Sequence, residues 1–206
     1  MVTCMKDTFN GWSKVNTMDL DTTTHLIVTG RKAIEAKPDN WMFKYIGDPY
    51  DRINVLDFGC GMGRNTFGMG KYASYWTIMG YDNDSMLDKA IEFCDLQYEG
   101  KIPKSVWFQS SWERLRHHKF DVIFCCLVLQ HIYEDALAKY IADFKRMTPK
   151  LIVSGRRFND DVKRRSTWTI LEENGLIPDS FFEEGQEIPY VGEGDPNGHN
   201  LAIYTL

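Results

Sequence analysis

The sequence predicts an α/β fold, a three-layer sandwich around a mostly parallel sheet, and two observations carry that expectation. From Asn54 onward, short apolar runs rich in β-branched residues alternate with helix-length stretches. That alternation is the pattern of parallel strands joined by crossover helices. The first run, Val55-Leu56-Asp57-Phe58, opens directly into Gly59-Cys60-Gly61-Met62-Gly63, with a helix-compatible stretch behind it. A strand, a tight glycine turn and a helix N-terminus bring bare backbone against an approaching ligand.

Five strands are expected at Asn54–Phe58, Thr77–Tyr81, 105–109, 120–126 and 150–154. Helices are expected between them at 65–73, 85–96 and Glu134–Met147, and after them at 161–174. Asp84 is placed to cap the second helix, and Gly175 to close the last one as a C′ residue. Pro149 ends the third, because the residue before a proline avoids helical geometry. Two further strands, Ser180–Glu183 and 200–206, flank a Gly-, Pro- and acid-rich loop at 184–199, a long connection of the kind found at functional sites. Residues 1–53 read least clearly. They hold several aromatics and a possible helix over 23–37, and are expected to form a cap or lid on one domain spanning 1–206.

With 206 residues, 43% of them hydrophobic and 26% charged, the chain can bury one substantial core. A formal charge of −5 argues against a duplex nucleic acid partner, which calls for a basic face. The five cysteines, Cys4, Cys60, Cys94, Cys125 and Cys126, are odd in number and include no C-x-x-C pair. They read as reduced thiols in a cytoplasmic protein, with neither a disulfide framework nor a zinc site. No apolar run reaches the roughly 18 residues of a membrane span. His117-His118 lies in a polar turn without further ligands nearby, and Asp160-Asp161 reads as helix capping. No metal is expected.

The glycine spacing separates two ligand classes. A dinucleotide fingerprint reads G-x-G-x-x-G, whereas this chain has G-x-G-x-G with Asp57 inside the strand end. An acid there suits a cationic ligand with no pyrophosphate to cradle. Nineteen residues past Gly63, the second strand ends in Asp82, where a carboxylate suits a ribose diol. Together with Phe120-Asp121-Val122-Ile123-Phe124-Cys125-Cys126-Leu127-Val128-Leu129-Gln130-His131-Ile132, which ends in Leu-x-His-Ile, this order resembles the class I, Rossmann-like S-adenosylmethionine (SAM) methyltransferases.

The resemblance covers about residues 55–158 and implies a seven-stranded sheet whose last strand is antiparallel. It implies SAM as cofactor and S-adenosylhomocysteine as product. It assigns Asp57, Gly59, Gly61, Gly63 and Asn65 to the amino acid part of the cofactor and Asp82 to its ribose. Asn83 and Met86 would flank the adenine, and Cys126 at the fourth strand end would pass the methionine part. The family often carries an Asp after the third strand for the adenine amino group. That slot here holds Ser111, followed by Trp112, which offers a backbone N–H and an aromatic face.

Methyl transfer from a sulfonium needs a nucleophile held in line and, for a hydroxyl, a base. His131 is the candidate base, its side chain titrating near neutrality when unperturbed; a helix-buttressing role is the alternative. Arg156 and Arg157, after the fifth strand, are placed to clamp an anionic acceptor or else are solvated, and Arg164 and Arg165 belong to a solvent-facing helix surface. Tyr133, Tyr190 and Trp12 are candidate acceptor-pocket residues, or else packing residues. No Pro-Pro-Tyr-type motif follows the fourth strand and no Pro-Cys nucleophile is present. The favoured reading is an O- or N-methyltransferase acting on a small molecule. A protein or RNA methyltransferase and an inactive SAM-binding subunit are the alternatives, with a nicotinamide oxidoreductase disfavoured by the glycine spacing.

Overall fold

The computed structural model describes residues 17–27, 31–155, 166–183, 186–188 and 200–206. Trp12, Asp160-Asp161, Arg156, Arg157, Arg164, Arg165, Tyr190 and most of the 184–199 loop lie outside them. Among the described residues the strands are β1 (Asn54–Phe58), β2 (Thr77–Tyr81), β3 (Val106–Gln109), β4 (Val122–Cys126), β5 (Lys150–Gly155), β6 (Ser180–Glu183), β7 (Gln186–Ile188) and β8 (Asn200–Thr205). The helices are α1 (Leu20–Ile27), α2 (Arg64–Tyr72), α3 (Asp84–Tyr98), α4 (Trp112–Leu115), α5 (Glu134–Met147) and α6 (Thr167–Glu173).

All eight strands form one sheet in the order β3-β2-β1-β4-β5-β8-β6-β7. The first five in that order are mutually parallel, β8 is antiparallel to both β5 and β6, and β7 is a hairpin strand on β6. The expected seven strands are therefore present in the expected sense, with β7 as an eighth at the edge of what reads as loop. Two expected strands start later than predicted, at Val106 and Val122, because their first residues serve as connections. In register, Asp57 lies beside Gly80 on one side and Phe124 on the other. The carboxyl ends of β1, β2 and β4 are thus level, and the residues just past them meet along one edge.

Side-chain alternation divides the core into two. Leu56, Phe58, Ile123, Cys125, Leu151 and Val153 face α4, α5 and α6. Val55, Ile78, Val122, Phe124 and Ile152 face α2, α3 and the N-terminal segment. At the centre of the first cluster, Phe58 packs against Tyr81, Trp112, Tyr140 and Phe144 at centroid distances of 4.9–5.4 Å. Asp143, buried on α5, accepts a hydrogen bond from the Trp112 indole N–H at 2.8 Å and pairs with Arg116 at 3.2 Å and with Arg146. That carboxylate ties α4 to α5.

Two local expectations are corrected. The cap of α3 is Asn83, whose side-chain oxygen accepts from Met86 N–H at 3.1 Å, while Asp84 is the first helical residue; an acid there still complements the helix dipole. In place of a helix over 23–37, α1 covers Leu20–Ile27 and single 3₁₀ turns occupy Ala33–Glu35 and Asn40–Tyr45. Pro38 disfavours helical geometry at Lys37 before it, which leaves the Ala33–Glu35 turn no room to extend. These turns pack on α2 and α3, with Ala33, Met42, Phe43 and Ile46 in the second cluster. Lys150 Nζ donates to the Tyr45 carbonyl at 2.5 Å, fixing the end of the second turn. No helix among the described residues is long and apolar enough to cross a membrane.

Replacing Phe58 with Ala empties the point where four aromatic rings converge. The expected loss is about 3–5 kcal/mol of unfolding free energy, read by chemical denaturation; a loss below about 1 kcal/mol would contradict the packing described.

Candidate active site

The turn after β1 carries Gly59, Gly61 and Gly63 at φ of +72°, +57° and +79°, the left-handed region that side chains other than glycine rarely enter. Space makes the same demand. A Cβ on Gly59 would lie 2.4 Å from Val128 Cγ1, and one on Gly63 2.7 Å from Phe67. The turn is held to the next strand by backbone: Gly59 and Cys60 N–H both donate to the Tyr81 carbonyl, at 2.8 and 3.0 Å.

Asp82, one residue beyond β2, completes the connection. Its Oδ2 accepts from Gly61 N–H at 2.8 Å, and its Oδ1 from Asn83 N–H at 2.8 Å and Asn83 Nδ2 at 3.1 Å. The side chain is buried, and burial, opposed by the Asn83 and Gly61 N–H groups, pushes its carboxyl up to about 6. Asp57 is buried as well and accepts from Thr66 Oγ1 at 2.6 Å. Burial raises it to about 7, against the opposing Thr66 hydrogen bond and Arg64 charge. Two acids held this far above the ordinary carboxylate range gain from a cation.

The N-terminal segment closes onto the same place. Arg64, at the start of α2, donates to the Lys37 carbonyl and to Asp39 Oδ2, both at 2.5 Å. Asn65 Oδ1 accepts from Asp39 N–H at 2.9 Å, and Cys126 Sγ approaches Asp39 Oδ2 at 3.6 Å. Further along, Thr24 Oγ1 on α1 meets Met62 Sδ at 3.3 Å. Burial and the neighbouring Asp39 hold the Cys126 thiol well above its usual range, so it stays protonated and is no thiolate nucleophile.

Beyond β4 the chain bends sharply. Leu127 has φ of +59°, a conformation that costs a residue with a side chain about 1–3 kcal/mol and concentrates at functional sites. Its N–H donates to the Ser154 carbonyl at 2.8 Å. The bend presses Val128 against Gly59 and starts the 3₁₀ turn Leu129–His131, in which His131 is half-buried beside Gln130.

The edge therefore brings together Asp57, the three glycines, Asn65, Asp82, Asn83 and Cys126, with His131 past the end of β4. Met86 is buried behind Asn83, and Ser111 stands at the N-cap position of α4 past β3. Trp112 is placed otherwise than its aromatic face suggested: the ring lies in the core among Phe58, Tyr81 and Tyr140, and its indole N–H is taken by Asp143. Tyr133 is exposed at the start of α5. Sequence reasoning missed Asp39, Arg64 and Thr66. The latter two follow the glycine motif directly, in the first turn of α2, whereas nothing about Asp39 marks it as a neighbour of residue 64.

The donor set fits a ligand with a ribose and a cationic amino acid end, with bare glycine backbone between two buried acids. Residues 55–150 match a family model described as a methyltransferase domain. No curated protein sequence matches the chain. Among solved structures, a SAM-dependent methyltransferase from Aquifex aeolicus superposes with a TM-score of 0.60 at 20% identity, over 91% of this chain and 98% of that one. Magnesium protoporphyrin IX methyltransferase from Synechocystis, with bound S-adenosylhomocysteine, gives 0.54 at 16% identity, over 80% and 78%. An O-methyltransferase family 2 protein from Planctomyces limnophilus, with apigenin, gives 0.53 at 16% identity, over 74% and 49%. The matched residues are those of a methyltransferase domain, and the fold is the one shared by these SAM-dependent methyltransferases.

Proposed function

We propose that this methyltransferase acts on an oxygen or nitrogen nucleophile of a small molecule. The observation that carries the reading is the level edge where Asp82 is hydrogen-bonded to Gly61 and where the turn after β4, which bears His131, packs Val128 against Gly59. Asp82 accepts the ribose hydroxyls, and the glycine turn with Asp57 and Asn65 receives the amino acid end. Asn83, Met86, Ser111 and the Trp112 backbone border the adenine, and Cys126 the methionine chain. His131 takes the acceptor's proton. Tyr133 is the acceptor-side residue within the described part; Arg156, Arg157, Tyr190 and Trp12, outside it, belong to the same proposed set. The bound cofactor supplies an electrophilic methyl group, and the protein's part is to align, to exclude water and to hold the proton. The net charge of −5 and the O-methyltransferases among the structural neighbours favour a small acceptor over a nucleic acid.

Asp82→Ala is expected to weaken S-adenosylhomocysteine binding by about 2 kcal/mol or more, roughly 30-fold. Unchanged affinity in calorimetry would remove Asp82 from the ribose site. His131→Ala is expected to keep that affinity while lowering methyl transfer about 100-fold or more. Equal turnover would leave His131 a buttress of the turn.

The two raised acids set a pH dependence. Their folded values, about 6 and about 7, lie above the ordinary 3.8. The stability they contribute to the ligand-free protein is complete below that ordinary value and is lost as pH rises through the folded values. A ligand with an ammonium group favours the ionised forms, so S-adenosylhomocysteine is expected to bind more tightly above pH 7 than near pH 5.5, by up to about tenfold per proton per pH unit. Proton release, read from the buffer dependence of the binding enthalpy, checks this; proton uptake would contradict it.

A further inference from the structure

Thr66 lies fully buried in the first turn of α2, and its hydroxyl donates to Asp57 Oδ2 across the glycine turn at 2.6 Å. Threonine hydroxyls on helices commonly turn back to a carbonyl of the preceding turn. Thr23 and Thr24 of α1 do so, donating to the Asp19 and Leu20 carbonyls at 2.9 and 2.7 Å. Thr66 directs its one hydroxyl proton at a carboxylate instead. No other hydrogen bond reaches Asp57 from the described residues.

The other groups around Asp57 act on it through charge or not at all. The Arg64 guanidinium donates to the Lys37 carbonyl and to Asp39, and favours the Asp57 carboxylate by its charge. Asp82, at the tip of β2, opposes that charge. The thiols of Cys60 in the turn and of Cys125 and Cys126 on β4 are held protonated by burial. Thr66 is therefore the one donor that fixes how the carboxylate sits, with Oδ2 held and Oδ1 left without a hydrogen bond from the described residues.

We propose that Thr66 is a positioning residue for the cofactor: it ties down Oδ2 of Asp57 and leaves Oδ1 to receive the ammonium group. This rests on the reading of the glycine edge as the SAM site. A hydroxyl bonds a carboxylate more strongly than it bonds a carboxylic acid, so Thr66 favours the ionised form that the ammonium needs. When a ligand bearing an ammonium enters, Asp57 releases its proton to solvent and the cation takes that proton's place. Without the hydroxyl, the acid stays protonated to higher pH and the ligand must displace the proton at greater cost. A thioether nucleoside lacking the amino acid end, 5′-methylthioadenosine, makes no such demand. Thr66 thus sets how strongly the site prefers the whole cofactor over its nucleoside fragment near neutral pH.

Carbon-13 NMR of aspartate-labelled, ligand-free protein follows the Asp57 carboxyl through a pH titration. The resonance is assigned by its absence from Asp57→Asn, and far-ultraviolet circular dichroism checks the fold of each variant. Thr66→Val and Thr66→Ala are each expected to raise the midpoint from about 7 by about one pH unit. Thr66→Ser, which keeps the hydroxyl, is expected to stay with the wild type. In calorimetry, Thr66→Val is expected to weaken S-adenosylhomocysteine about eightfold at about pH 6.5 and less than about twofold at about pH 8.5, the ratio of ionised fractions that such a shift gives. Binding of 5′-methylthioadenosine is expected to be unchanged at both. A midpoint that stays put in Thr66→Val and Thr66→Ala, a Thr66→Ser that behaves like Thr66→Val, or equal losses at both pH values for both ligands would overturn the positioning role. A wild type that binds no S-adenosylhomocysteine at any pH would instead overturn the cofactor reading, while the carbon resonance reports the Thr66 bond with no ligand present.

Discussion

The buried hydrogen bond from Gly61 N–H to Asp82 Oδ2 joins the turn after β1 to the tip of β2. With the two bonds into the Tyr81 carbonyl it holds the glycine turn open and flat along the carboxyl edge of the sheet. Other features of the edge result from keeping that turn in place. The left-handed angles and the contact with Val128 require glycine at Gly59. The packing of Val128 on Gly59 fixes where the chain runs after β4, and so where His131 stands. Burying Asp82 to make the bond raises its carboxyl, and a cationic ligand with ribose hydroxyls relieves the cost.

The segment before β1 adds a second constraint. Arg64 and Asp39 form a largely buried pair, and buried pairs of this kind contribute little net stability while fixing one arrangement strongly. Here the arrangement brings the residue 37–39 segment against the start of α2 and the Cys126 thiol.

The sheet was legible because its signal is local: β-branched runs, glycine spacing and a carboxylate at a strand tip each arise from nearby residues. The antiparallel sense of the last strand came from the family resemblance and stands in the structure as β8. The features that escaped are decided by partners distant in sequence. Asp39 meets Arg64 across 25 residues, a pairing no spacing announces. Trp112 went to the core because Asp143, 31 residues on, takes its indole N–H. Asn83 rather than Asp84 caps α3 because the helix begins one residue earlier, a shift of the size at which helix boundaries ordinarily blur. β7 is a three-residue strand in polar sequence, leaving no apolar alternation to read.

The central claim is that the Gly61–Asp82 edge is a SAM site, and isothermal titration of the purified protein with S-adenosylhomocysteine, with NADH as control, tests it most directly. The account predicts micromolar binding of S-adenosylhomocysteine and none of NADH. No binding, or binding of NADH in its place, would contradict it.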